Sequence, residues 1–222
     1  MYRHEWKWAV GARELAILRQ RLRAVMTPDS HGDQGSYRVR SLYFDTPDDR
    51  ALREKLAGLS RREKFRIRLY DGSTDLIHLE KKVKNGGLGY KLTAKVTAGQ
   101  VAGILDGDIS WMMDSESPLV RELYCTMQTE LLRPQVIVDY HREAFTYAPG
   151  NVRVTFDTDV RAGPNVSDFL LPNPLTVPIP NKPAILEVKW DAFLPDPIRA
   201  AVHLDGVRAA PFSKYAACRF CG

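Results

Sequence analysis

The sequence predicts an antiparallel α+β fold that closes towards a barrel, and three observations carry that expectation. Eight short segments, 3–9, 37–45, 63–70, 76–84, 89–97, 134–143, 152–159 and 184–191, read as strands. Helical stretches fall between them irregularly, without the βαβ rhythm of a parallel sheet. Five of the strands pair one apolar face with one face dense in charge.

Along the chain, Arg3, Glu5 and Lys7 oppose His4, Trp6 and Trp8 in the first strand, with both tryptophans expected in the core. Leu15, Leu18, Leu22, Val25 and Met26 share one face of a helix over 12–26. A short helix is expected from Pro47, capped by Thr46 or Asp45. In 63–70, Lys64, Arg66 and Arg68 oppose Phe65, Ile67 and Leu69. In 76–84, His78, Glu80, Lys82 and Lys84 oppose Ile77, Leu79 and Val83, and Lys81 breaks the pattern. Asn85-Gly86-Gly87-Leu88-Gly89 reads as a hairpin connection before the strand 89–97. Weaker helical stretches cover 97–106, 118–131 and 196–203. Arg153, Thr155 and Asp157 oppose Val152, Val154 and Phe156, and Glu187, Lys189 and Asp191 oppose Leu186, Val188 and Trp190. The Pro-rich stretch 160–182 is expected to be an ordered, irregular loop.

The 222 residues suit one domain, 1–222, with 44% hydrophobic and 27% charged residues. No apolar run approaches the roughly 20 residues of a membrane span, and the N-terminus lacks the pattern of a signal peptide, so a cytoplasmic location is the default expectation. Three cysteines make no disulfide framework; Cys218 and Cys221 read as incidental thiols on a terminal turn. The net charge of +5 is concentrated: residues 61–95 hold ten Lys or Arg against four Asp or Glu, leaving the rest slightly negative.

A plain sheet with its polar face in water explains any one of these strands. Five together point instead to a barrel whose charged faces turn inward, because a solvated face mixes in Ser, Thr and Gln. Closing the sheet also hides its edges. An interior of Arg and Lys repels itself at low dielectric and calls for water or a bound anion. Arginine forks match phosphate oxygens two at a time, and lone glutamates can hold a hard divalent cation that bridges them. The expected cargo is therefore phosphate with metal. No GxxxxGK[ST] or GxGxxG loop and no nucleophilic triad is evident. Nucleic acid is disfavoured, since no aromatics interleave with the basic faces as a stacking platform requires.

The ordered set Arg3-x-Glu5-x-Lys7, Ser41-Leu42-Tyr43-Phe44-Asp45-Thr46-Pro47, Lys64-Phe65-Arg66-Ile67-Arg68, Leu79-Glu80-Lys81-Lys82, Tyr140-His141-Arg142, Val152-Arg153-Val154-Thr155-Phe156-Asp157, Leu186-Glu187-Val188-Lys189 and Phe212-Ser213-Lys214-Tyr215 resembles the VTC domain. That domain is the polyphosphate polymerase branch of the triphosphate tunnel metalloenzymes. The resemblance implies an eight-stranded antiparallel tunnel barrel with a charged lumen and helices packed outside. It implies transfer of the terminal phosphoryl group of ATP to polyphosphate with Mn²⁺ or Mg²⁺. By motif position, Lys7, Arg66, Arg68, Lys82, Arg142 and Arg153 contact phosphate, with Lys91 as an addition from the hairpin. Ser213 and Lys214 reach phosphate from the turn before a terminal helix, and Glu187 is the metal ligand.

Two positions depart from the family pattern. Triphosphatase and cyclase relatives open with Glu-x-Glu-x-Lys, whereas this chain has Arg3 first, which removes a carboxylate and favours transfer over hydrolysis. Some polymerases carry a further Lys where this chain has Pro211. The membrane segments and inositol-phosphate-sensing domain of eukaryotic members are not in this sequence, so it resembles a bare bacterial-type catalytic domain. Two other readings stay open: a triphosphate or tripolyphosphate hydrolase on the same scaffold, and a non-catalytic polyphosphate-binding module.

Overall fold

The computed structural model describes residues 3–29, 35–86, 88–204 and 212–221. Eight long strands form one path in the order β1 (His4–Val10), β10 (Ala184–Trp190), β8 (Val152–Gly163), β7 (Arg133–Tyr147), β3 (Ser36–Asp45), β4 (Arg62–Tyr70), β5 (Ser73–Asn85) and β6 (Leu88–Val96). Every neighbouring pair is antiparallel. Two-residue strands β2 (Thr27–Pro28) and β9 (Val177–Pro178) add to β7 and β8. The sheet curls until its outer strands meet, among the described residues, at one bridge, Arg3 to Gly89. Each of the eight expected strands is present.

The alternation read from the sequence sets the layers. Outward apolar faces of β1, β10 and β8 bury Leu186, Val188 and Phe156 beneath α1 (Ala12–Val25) and α5 (Asp196–Val202). Leu18 and Leu22 of α1 have no exposed surface, and each buried leucine stabilises by about 1.5–3 kcal/mol. That packing is what holds a helix of 14 residues, a length marginal in isolation. Outward faces of β3, β4 and β5 bury Leu42, Ile67 and Leu79 beneath α3 (Ala98–Asp106) and α4 (Pro118–Glu130). Thr97 and Gln100 close a reciprocal capping box at the start of α3.

A third cluster lies inside the curl. Val39, Val136, Val138 and Tyr140 face inward and meet Tyr215, Ala216 and Cys218 of α6 (Lys214–Arg219), with Leu52 of α2 (Arg50–Leu56). The C-terminal helix thus occupies part of the lumen. Asp45, with no exposed surface, fixes it there. Its carboxylate accepts from the backbone N–H groups of Thr46, Ala51 and Leu52 at 2.9, 2.8 and 3.1 Å and from the Tyr215 hydroxyl. One carboxylate therefore ties the start of α2 to α6.

Two expected boundaries shift, and two residues sit differently from expectation. The helix after Pro47 starts at Arg50, because Thr46 and Asp45 serve its first N–H groups across an intervening turn with Asp49 at φ 57°. β8 runs on through Gly163, since Val160 and Ala162 are buried in the inner cluster, so the irregular stretch begins later. Trp6 is 39% exposed and not a core residue; it sits edge-on to Trp8 and Trp190 at the rim of the sheet. Cys218 lies buried within α6, not on a turn. The hairpin pairs Asn85 with Leu88 and places Gly86 at φ 58°, a left-handed conformation that costs glycine least; Gly87 lies outside the described residues, as does Pro211.

Candidate functional site

The inward faces enclose a cavity of about 340 Å³. β1 contributes Glu5, Trp6 and Lys7, β4 contributes Arg62, Lys64, Arg66 and Arg68, and β5 contributes Lys82 and Lys84. Tyr140 and Arg142 enter from β7, Glu187 from β10, Tyr43 from β3 and Lys55 from α2. Phe212, Ser213, Lys214 and Tyr215 complete the lining at α6. Ten Lys or Arg thus face two carboxylates. That imbalance is the main electrostatic property of the molecule.

Buried acids set the positions of the cations. Lys7 Nζ sits between Glu5, at 2.9 Å, and Glu187, at 3.2 Å, while Lys82 and Lys84 each reach Glu5 at 3.1 Å and Lys189 pairs with Glu187. On the same inward faces, Glu80 accepts from Arg66 at 2.6 Å and Lys91 at 2.5 Å. Asp157 accepts from Arg142 at 2.6 and 2.8 Å, with Lys214 at 2.5 Å. Aromatic groups hold the remaining faces. Arg66 donates to the Tyr43 hydroxyl at 2.9 Å, Arg68 donates to Ser41 at 3.0 Å and Tyr140 at 3.2 Å, and Lys214 lies over the Tyr140 ring.

The acids stay charged despite burial. Burial alone would raise the carboxyl of Glu5, but Lys7, Lys82 and Lys189 outweigh it and hold the group well below the usual carboxylate range. Glu80 is depressed in the same way by Arg66, Arg68 and Lys91. Asp157 falls to about 2 because Arg142 and Lys214 overcome its burial. The lysines divide. Lys7, between two carboxylates, is raised, whereas burial and the neighbouring Lys7 push Lys82 down. Burial also pulls Lys64 down to about 8. An arriving anion relieves that pressure on the cations.

Of the expected site residues, Lys7, Arg66, Arg68, Lys82, Arg142, Glu187, Ser213 and Lys214 come together on this cavity. Ser213 also caps α6, its hydroxyl accepting from the Ala216 N–H at 3.3 Å. Lys91 and Arg153 lie on the same inward faces, opposite Lys82 and next along from Thr155, but outside the lining of this cavity. Lys91 pairs with Glu80, and Arg153 pairs with Asp29 at 2.7 Å and donates to Tyr37 at 3.0 Å. The tyrosines 43, 140 and 215 escape sequence reading because they count as apolar in an alternation pattern. Lys55 escapes because it lies on a helix.

Among the described residues, no group of three or more His, Cys, Asp or Glu could hold a metal on its own. Glu5 and Glu187 do share the Lys7 ammonium, and Thr155, opposite Glu187 in register, keeps a buried hydroxyl without a hydrogen-bond partner among the described residues. Two carboxylates suit a hard cation whose remaining ligands are phosphate oxygens and water. The donor set therefore fits a metal that arrives with its phosphate.

A curled antiparallel sheet with inward cations set on buried acids defines a protein of the charged-tunnel class. The chain belongs to the VTC domain family, whose model matches residues 2–221. No curated protein matches it. Among solved structures it is similar to the PH1819 protein of Pyrococcus horikoshii OT3, at 12% identity over 90% of this chain and 84% of that one, with a TM-score of 0.44. A Bacillus halodurans protein put forward as an adenylate cyclase shows 14% identity over 85% and 82% of the two chains and a TM-score of 0.47. The PH1012 protein of Pyrococcus horikoshii OT3 shows 10% identity over 90% and 85%, with a TM-score of 0.43.

Proposed function

We propose that this VTC domain transfers the terminal phosphoryl group of ATP to a growing polyphosphate chain and releases ADP. One observation carries the reading: ten fixed cations surround a cavity that offers only two carboxylates of its own. Phosphoryl transfer asks the protein chiefly to align the two oxygens and cancel charge on the non-bridging ones. The bond from the terminal phosphorus to the bridging oxygen of ADP breaks, and one from a terminal oxygen of the chain forms. That attacking oxygen is already anionic, so no base has to take a proton from it.

Arg66, Arg68 and Arg142 are aimed by Glu80, Tyr140 and Asp157 and present donors in fixed directions. Lys7, Lys82 and Lys214 add compact charge, with Ser213 beside them. Glu187, with Glu5 beside it, would hold Mn²⁺ or Mg²⁺, which supplies charge neutralisation across phosphate oxygens. In this reading Lys91 and Arg153, on the same inward faces, contact phosphates further along the polyphosphate. Arg3 favours transfer over hydrolysis: it is committed to Asp191 at 2.8 Å and to the Asn151 carbonyl, and no carboxylate stands in its place. Residues 1–222 act as one domain, set in the cytoplasm where ATP is at hand. No helix among the described residues is long and apolar enough to cross a membrane.

The test is incubation with ATP and Mn²⁺ followed by product separation. Long polyphosphate with ADP is the expected result. Free phosphate alone would replace the reading with a triphosphate hydrolase, and tight polyphosphate binding without turnover with a binding module.

A further inference from the structure

The cations of the cavity differ in what balances them. Arg66 and Lys91 share Glu80, Arg142 and Lys214 share Asp157, and Lys7, Lys82 and Lys84 share Glu5. Where α2 leads into β4 the pattern changes. Arg62 and Lys64 line the same cavity, yet no carboxylate among the described residues lies within ion-pair distance of either. Among the described residues, the Arg62 guanidinium donates to the Leu59 carbonyl alone. The Lys64 ammonium rests 4.2 Å over the Tyr215 ring, a face that attracts a cation without neutralising it.

The groups around Lys64 sharpen the contrast. Lys55 faces it from α2, Arg62 and Arg66 flank it on β4, and Lys82 stands opposite on β5 with Lys84 one pair along. From β3 come the Tyr43 hydroxyl, which accepts from Arg66, and Asp45, which is committed to Tyr215 and three backbone N–H groups. Like charges held together on neighbouring strands repel unless an anion joins them. From Arg62 to Arg68 the strand advances about 20 Å at the usual rise, further than a triphosphate extends.

We propose that Lys64, with Arg62, forms a separate phosphate subsite at the α2–β4 end of the cavity, which binds a linear polyphosphate beyond its first three phosphates. This deepens the polyphosphate reading and rests on it. The subsite makes affinity depend on chain length, and it makes that dependence sensitive to pH. Burial lowers Lys64 to about 8, and an anion favours its charged form, so the length preference weakens as pH rises through that value.

The experiment is calorimetric titration, without ATP, of tripolyphosphate and of a long inorganic polyphosphate into the full chain. For Lys64→Met, the loss of affinity for the long chain should exceed the loss for tripolyphosphate by about tenfold, the worth of one charge-assisted hydrogen bond. Lys64→Arg should keep the length preference and remove its pH dependence. Arg62→Gln serves as a second variant if Lys64→Met does not fold. Equal losses for both ligands, or a wild-type protein that does not prefer the longer chain, would overturn the subsite. Because no ATP is present, failure of phosphoryl transfer would leave this result standing.

Discussion

Asp157 grips Arg142 through two parallel hydrogen bonds, at 2.6 and 2.8 Å, and holds Lys214 with the same carboxylate. A strand acid thus positions one cation from the sheet and one from the C-terminal helix. Its own surface is wholly buried, so its work is to aim the two cations.

Asp157→Asn is expected to lower ATP turnover on the order of 10²-fold, as a small misplacement of an aligning group does. Removing one partner of a buried ion pair also costs about 3 kcal/mol or more of stability. Turnover measured beside a urea titration checks both. Wild-type values in both would show that Arg142 is aimed by something else.

Tyr215→Phe removes the hydrogen bond to Asp45 and nothing else of the ring. The expected loss is about 1.5–3 kcal/mol, the worth of a hydrogen bond to a charged group. Amide exchange should rise in α2 and α6 together, because Asp45 links them. A rise confined to α6 would break that link.

Acid stability follows from the sign of the Asp157 shift. Its folded value of about 2 lies below the usual 3.8, so its contribution is complete above 3.8 and is lost as pH falls from there towards 2. The shift corresponds to about 2 kcal/mol. Chemical denaturation across this window should show wild type losing more stability than Asp157→Asn; parallel curves would argue against it.

Glu187→Gln is expected to abolish metal-dependent turnover, and unchanged activity across a Mn²⁺ titration would remove Glu187 from metal binding. Arg66→Ala should weaken polyphosphate binding and reduce the slope of affinity against salt by about one unit. A wild-type slope would remove Arg66 from the contacts.

The strands were legible in the sequence because alternation with a period of two is a direct imprint of a sheet with unlike faces. Lys64, Arg66 and Arg68 against Phe65, Ile67 and Leu69 is the plainest case, and the structure puts the first three on the cavity and the others in the core. What escaped depends on where the sheet curls. Trp6 follows the apolar alternation of β1 but is 39% exposed and lines the cavity. Arg153 alternates correctly, and its partner Asp29 is distant in sequence, so that ion pair could not be read from the strand. Tyr43, Tyr140 and Tyr215 turn hydroxyls and ring faces to cations, a use that hydrophobic patterning does not register.

The bridge from Arg3 to Gly89 is the one backbone rung described between the first and last strands of the path. Beside it, Lys82 and Lys84 from β5 reach across to Glu5 on β1. The clasp of the barrel is therefore partly ionic and uses lysines that also face the cavity. Added salt loosens the clasp and competes with the ligand at once. A salt titration of binding consequently reports two events, and only the difference between variants isolates the ligand. Exchange of the β1 amides, followed over the same salt range, would record the clasp by itself.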